Sequence, residues 1–439
     1  MKILIKNGRV IDPANKIDAV ADILVENSKI SQVAANIQTD VDKVIDATDK
    51  IIMPGLFDMH VHLREPGRED KETVATGTRA ALKGGVTSVL AMPNTSPAID
   101  CAESVRLLNS IIKKTAEANV FITGAITRGR LGQELTDFAK LKQEGVVAIS
   151  DDGSSVDNDK LLLGALQKAK RQKLLVICHC EDKALSAKGV VNLGFTSTRL
   201  GLRGIPKESE YKRIGRDIQL AAKIDAPLHI AHVSCRESVE MIAEAKKKGI
   251  KVTCETAPHY FSLSEEAVLR YDTNMKMNPP LRSKEDVASI KQGLKDGIID
   301  VIATDHAPHT ENEKDIEFER AEFGVIGLET ALAVVITEVV NLGLLDWSDV
   351  VRKMAFHPAQ ILGLDKGTLS VGTEADIVVV SPEKEWIVQK EGLVSKSKNS
   401  AFLGKILKGV VEYTICGGKI AYPARNRAQT ENRHETPPH

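Results

Sequence analysis

The 439-residue chain has few cysteines, and none of its six forms a C-x-x-C pair. That argues against both a disulfide framework and a cysteine-built structural zinc site. Neither sign of charge is in excess: 59 Lys and Arg stand against 60 Asp and Glu, a formal net charge of −1. A nucleic-acid footprint would require clustered surplus cations. The one obvious basic run, Lys246-Lys247-Lys248, precedes Gly249 and reads as a solvated helix end, where cations suit the dipole. No apolar run approaches the roughly 18 residues of a spanning helix, and Met1–Lys6 lacks a signal peptide's apolar stretch. The expected location is cytoplasmic. No G-x-G-x-x-G follows the first long strand, which weakens an open dinucleotide-binding sheet.

The first 55 residues read as short strands, with Asn7-Gly8 as a hairpin signal and Glu26-Asn27-Ser28 as a turn. From Ile51, apolar runs alternate with helix-like segments: Ile51–His60, Val86–Ala91, Val120–Gly124, Val146–Ser150, Leu174–Cys178, Leu228–Ala231, Ile250–Cys254 and Asp300–Ala303. Eight such units predict an α/β fold, a closed (β/α)8 TIM-like barrel over 56–364. Strand patterning returns over 365–422. That segment is expected to join residues 1–55 in a small β-sandwich domain built from both chain ends. Residues 423–439 are polar and aperiodic and read as a disordered tail.

In such a barrel, reacting groups come from the C-terminal ends of the strands. The first run ends at His60-Val-His62, two imidazoles on one side of an extended strand. Arg64 follows, a planar cation suited to a carboxylate. Later runs lead into Asn94, Asp151-Asp152, His179, His232, Glu255 and Asp305. Four histidines and at least two aspartates exceed what one tetrahedral zinc needs. A two-metal centre uses them all, with His60 and His62 on one ion and His179 and His232 on the other. Asp151 or Asp152 would lie between, and Asp305 would be a further ligand or base. Such a centre lowers the pKa of a shared water and polarises a carbonyl, the chemistry of C–N or C–O hydrolysis. Cys178 and Cys180 alternate away from His179 and read as packing residues. His306 is expected to point away from its neighbour Asp305. The charged segment after His309 reads as a solvated loop or short helix, or as a cover for the pocket.

Asp58-Met-His-Val-His-Leu-Arg-Glu-Pro-Gly67 and Ala303-Thr-Asp-His-Ala-Pro-His-Thr310, with Lys314 following, resemble the two signature motifs of the dihydroorotase family in its bacterial class I form, within the amidohydrolase superfamily. The similarity runs from Met1 to about Tyr422 and includes Met92-Pro-Asn-Thr95, Asn278-Pro-Pro-Leu-Arg282 and Gly327-Leu-Glu-Thr330. The resemblance implies the reversible cyclisation of N-carbamoyl-L-aspartate to L-dihydroorotate in pyrimidine synthesis, with Zn2+, two ions per subunit. It implies a metal set of His60, His62, Asp152, His179, His232 and Asp305, with Asp305 also catalytic. Arg64, Asn94 and His309 would bind the substrate carboxylate, and Asn278 the ring. Many relatives bridge the metals with a carboxylated lysine. The fourth strand here, Val146-Val-Ala-Ile-Ser-Asp-Asp152, has none, and the class I aspartate falls on Asp152.

Two rival readings carry distinct expectations. Another cyclic amidohydrolase, a dihydropyrimidinase, hydantoinase or allantoinase, usually keeps the bridging lysine and does not need Arg64 and Asn94 for a carboxylate. A non-catalytic partner of aspartate transcarbamoylase should have lost metal ligands, and none is missing. A homodimer is expected, with association to aspartate transcarbamoylase open to an active enzyme as well.

Overall fold

The computed structural model describes residues 2–423; most of the tail expected over 423–439 lies outside the described residues. Both ends of the chain build one eight-stranded sheet. From the N-terminal side come β1 (Ile3–Asp12), β2 (Ile17–Glu26), β3 (Lys29–Ala34), β4 (Lys43–Asp46) and β5 (Ile51–Pro54). The sheet order runs β3-β2-β1-β5 and continues into three strands from the far end of the chain, with β4 beside β1. It closes over its own core of Ile3, Ile5, Ile23, Ile45, Ile52, Val379 and Ile415, the small sandwich expected.

The barrel strands are β6 (Leu56–Val61), β7 (Val86–Ala91), β8 (Asn119–Gly124), β9 (Val146–Ser150) and β10 (Leu175–Cys178). A two-stranded excursion, β11 (Val191–Asn192) with β12 (Gly204–Ile205), precedes β13 (Leu228–Ile230), β14 (Val252–Thr256) and β15 (Val301–Ile302). All eight barrel strands pair in parallel in chain order. The ring closes where His62 N–H donates to His306 O at 2.9 Å, beside a parallel bridge between Val61 and His306. These strands are buried on both faces, hence their near-continuous Val, Ile and Leu. Phe57, Met59, Leu90, Ala148, Ile177, Ala231 and Ala303 form one cluster, with Phe57 stacked on Phe121 at 5.4 Å.

The predicted first run, Ile51–His60, is two strands in two sheets. Its first half, β5, pairs with β1 and with β16 (Ile377–Ile387), and its second half is the first barrel strand. The switch occurs at Gly55, where an added Cβ would sit 2.2 Å from Thr87 Oγ1, so only glycine lets the chain cross there. Hydrophobicity alone cannot mark this break, because both halves are equally buried. β17 (Ile406–Cys416) and β18 (Lys419–Tyr422) complete the end sheet.

Candidate metal centre

The strand ends converge as expected of a barrel. His60 and His62 leave β6 with ring centroids 5.3 Å apart, and His60 lies 5.5 Å from His232, which is 4.6 Å from His179. Asp152 sits among all four. Its Oδ1 is 3.3 Å from His60 Nε2, 3.6 Å from His179 Nδ1 and 3.7 Å from His232 Nε2, and its Oδ2 is 3.5 Å from His62 Nε2. Asp305 Oδ1 lies 3.1 Å from His62 Nε2 and 3.6 Å from His60 Nε2. The two neighbouring aspartates are thereby told apart. Asp151 faces the other way, its Oδ1 accepting from the N–H of Ile126 and Thr127 at 2.8 and 3.0 Å, and it also bonds Thr127 Oγ1.

Two overlapping groups result, His60–His62–Asp152 and Asp152–His179–His232. Within each group the donor atoms lie within 4.8 Å of one another, and all five residues are buried. His60 Nε2 is buried without a hydrogen-bond partner although it faces two carboxylates. An orphaned imidazole nitrogen aimed between carboxylate oxygens fits a ligand set better than a hydrogen-bond network. Nitrogen and oxygen donors of this kind suit a divalent metal.

The electrostatics agree with a site built for positive charge. Burial works against an imidazolium at His60, but Asp152 and Glu255 outweigh it and raise the group well above its ordinary value. Burial likewise opposes charge on His179, yet Asp152 and Glu181 lift it to about 9. Burial alone would raise Asp305, and its bond with His62 and the field of His60 hold it far below the carboxylate range. Asp152 behaves the same way: burial opposes its charge, but the His60 charge together with its contacts to His179 and His232 outweighs burial and holds it well below the carboxylate range.

The outward-facing nitrogens of three of these histidines are also held. His60 Nδ1 meets Glu255 Oε1 at 2.5 Å, His62 Nδ1 meets Asn94 Oδ1 at 2.8 Å, and His179 Nε2 meets Glu181 Oε2 at 3.3 Å. Such contacts fix ring orientation and tautomer in metal sites. Glu255 stands at a strand end visible in the sequence, but its partner depends on the curvature of the barrel. Glu181 also accepts from Asn278 Nδ2 at 3.2 Å, joining the histidine cluster to the expected ring contact.

Beyond the histidines lies a corner where Arg64 and Lys71 bring positive charge to His309. Arg64 is half-buried, and desolvation lowers its guanidinium to about 10. Its Nε donates to Pro308 O at 3.1 Å, and its Nη2 lies 3.2 Å from His309 Nε2. Lys71, which sequence reading did not single out, lies 3.0 Å from His309 Nδ1, while His309 Nε2 is 2.8 Å from Phe323 O. An ammonium can only donate, so Nδ1 accepts and Nε2 carries the proton, donated to Phe323 O. Burial and the charges of Arg64 and Lys71 keep His309 neutral by holding it far below the usual imidazole range. The Arg64 terminal N–H groups are then not committed to His309.

Three residues here adopt left-handed backbone without being glycine: Arg64 (φ 63°), His232 (φ 35°) and Asp305 (φ 49°). Each such conformation costs on the order of 1–3 kcal/mol, and such outliers cluster at functional sites. Of the remaining histidines, His306 turns away from Asp305, with Nε2 3.4 Å from Glu72. His259 is buried, desolvation lowers it to about 4, and its Nε2 has no partner. Cys178 and Cys180 are buried, with Cys180 Sγ 3.4 Å from Asp217 Oδ2.

Comparison with known proteins agrees with this geometry. The dihydro-orotase-like family model matches residues 49–238. The chain is 53% identical over 420 residues to a dihydroorotase of Elusimicrobium minutum (strain Pei191), covering 96% of this chain and 97% of that one. It is 51% identical over 423 residues to a dihydroorotase of Geotalea daltonii (strain DSM 22248 / JCM 15807 / FRC-32), covering 96% and 99%. Among solved structures, the L-hydantoinase (dihydropyrimidinase) from Arthrobacter aurescens superposes with a TM-score of 0.86 at 26% identity over 95% of each chain. With a barrel of cyclic-amide hydrolase form and about half its residues shared with curated relatives over nearly full length, the chain belongs to the dihydroorotase family.

Proposed function

We propose that this chain is a dihydroorotase, interconverting N-carbamoyl-L-aspartate and L-dihydroorotate with two zinc ions per subunit. The observation that carries the reading is the position of Asp152, whose two oxygens face all four clustered histidines. In this reading His60, His62, Asp152 and Asp305 hold one ion, and Asp152, His179 and His232 hold the other. A metal pair supplies a water of lowered pKa and polarises the ring amide carbonyl.

The chain's own residues do the rest. Asp305, anionic in this environment, takes a proton from the attacking water as the C–O bond forms. It then delivers that proton to the ring nitrogen as the C–N bond breaks. Arg64 grips the substrate carboxylate with its planar fork, beside His309 and the amide nitrogen of Asn94. Asn278, held by Glu181, contacts the ring. Closure of N-carbamoyl-L-aspartate follows the same path in reverse.

Hydantoin and allantoin lack the carboxylate that Arg64 and its neighbours are built to meet. Steady-state assay of L-dihydroorotate against both is the direct test: turnover of L-dihydroorotate alone is expected, and preferential turnover of a neutral ring would overturn the assignment. The proposal extends to a cytoplasmic homodimer, with association to aspartate transcarbamoylase left open. Among the described residues no helix is long and apolar enough to cross a membrane. Sedimentation with and without that transcarbamoylase tests the assembly.

A further inference from the structure

Between Lys314 and Val325 the chain has neither helix nor strand, yet five of its backbone carbonyls are taken up by side chains. Two buried lysines take them. Lys276 Nζ donates to Phe318 O at 2.8 Å, Glu319 O at 3.0 Å and Ala321 O at 2.5 Å. Lys314 Nζ donates to Glu322 O at 2.8 Å, Gly324 O at 3.0 Å and, more weakly, Lys276 O at 3.4 Å. An ammonium has three donors, so six donors meet six carbonyls.

The arrangement carries a real electrostatic penalty. Burial pushes Lys276 down to about 8, and burial together with the nearby Lys276 charge pushes Lys314 down to about 7. The segment offsets part of this through the Phe323 ring, which lies 4.4 Å from Lys276 Nζ.

What the anchored segment holds is His309. Phe323 O receives the His309 Nε2 proton. Gly324, at φ +128°, passes so close that a Cβ there would lie 2.6 Å from the Ala307 Cβ and 3.2 Å from His309 Nε2. Asn399 ties the same point, donating to Gly324 O at 3.1 Å and accepting from His309 N at 3.2 Å. Lys276 also stands two residues before Asn278, the proposed ring contact.

We propose that Lys276 and Lys314 are positioning residues, a pair of buried ammonium groups that substitute for secondary structure over 315–324 and so hold His309, its one N–H committed to Phe323 O, beside Arg64 at the corner where the substrate carboxylate would bind. The inference rests on the dihydroorotase reading of His309. Neither lysine touches substrate or the metal-binding cluster.

The test uses the full-length, metal-loaded chain carrying Lys314→Met or Lys276→Met. Hydrogen exchange over 315–324 should accelerate. KM for L-dihydroorotate should rise about tenfold with kcat within about threefold, because a ground-state contact is lost while the chemistry is intact. Bound metal per chain should not change. Lys314→Gln, which keeps a donor without the charge, should recover part of the KM. If Lys276→Met fails to fold, Lys314→Met decides alone. A direct reading of His309 comes from its imidazole 15N signals without substrate: the wild type should show the Nε2–H tautomer alone, and Lys314→Met a mixture. Unchanged tautomer or unchanged exchange would overturn the inference, as would faster exchange with unaltered KM. A wild type inactive on L-dihydroorotate would instead sink the assigned reaction, and the exchange and 15N readings would still decide whether the lysines orient His309.

Discussion

Glu255 places one carboxylate oxygen 2.5 Å from His60 Nδ1 and the other 3.2 Å from His229 Nε2, on a fully buried path through the barrel wall. His229 is held in turn by Thr253 Oγ1 at 2.8 Å. Burial would raise Glu255, but the charge of His60 and the bond from His229 hold it at about 2. A permanent anion there orients His60 and would raise its basicity toward a metal ion. We predict that Glu255→Gln weakens metal retention by roughly 10–100-fold, the usual cost of losing such a partner. Metal content after graded chelator challenge measures this, and retention equal to wild type would remove Glu255 from the metal site.

Asp151 and Asp152 are adjacent in sequence but turned to different tasks, so their asparagine variants should fail differently. Asp152→Asn is expected to lose metal and turnover together with little change in melting temperature. Asp151→Asn should keep its metal but lose stability on the order of 1–3 kcal/mol, since two buried N–H groups lose their charged acceptor and an amide nitrogen replaces the oxygen that meets Thr127 Oγ1. Metal content and thermal melting of the two proteins separate the roles, and the reverse pattern would exchange them.

Asp305→Ala should lower kcat by roughly 10²–10⁴-fold, the worth of general acid–base help, while circular dichroism stays that of the wild type. Retention of more than about a tenth of wild-type turnover would contradict the role. Arg64→Lys is expected to raise KM for L-dihydroorotate, because a point charge cannot replace the bidentate fork. An unchanged KM would take Arg64 out of the site.

The loop after β15 is latched by Glu313, 2.7 Å from Arg68 Nη2 and 3.0 Å from Lys71 Nζ. Burial opposes the anion, but the bonds from Arg68 and Lys71 hold Glu313 at about 2, against an ordinary value of 4.5. A depressed carboxylate stabilises the fold fully above its unfolded value and loses that contribution as pH falls toward its folded value. The wild type should therefore melt above Glu313→Gln at neutral pH, with the gap narrowing below about pH 4.5. Paired melting curves across that range check the sign; a gap that widens on acidification would be inconsistent with the latch.

Much of this site was legible in the sequence because barrel geometry puts strand ends on one face, and polar residues at the ends of apolar runs stand out. His60, His62, His179, His232 and Asp305 come together for that reason. Asp152 could not be separated from Asp151 by pattern, since the chain turns as it leaves β9 and strict alternation ends there. The partners of the histidines were hidden differently. Glu255 reaches His60 across the barrel from a strand 195 residues away, a relation that no local periodicity encodes. Lys71 carries no local pattern that marks it, Lys314 falls in the charged segment that reads as solvated, and only tertiary packing buries them. The division of Ile51–His60 into two sheets was invisible for the opposite reason: both halves carry the same apolar signal.

Two ions bridged by Asp152 are the feature on which the proposed chemistry depends. Anomalous diffraction from crystals of the zinc-loaded protein tests it most directly. Two peaks about 3.5–4 Å apart are expected, flanking the Asp152 carboxylate, one beside His60, His62 and Asp305 and the other beside His179 and His232. A single peak, or a pair not bridged by Asp152, would contradict it.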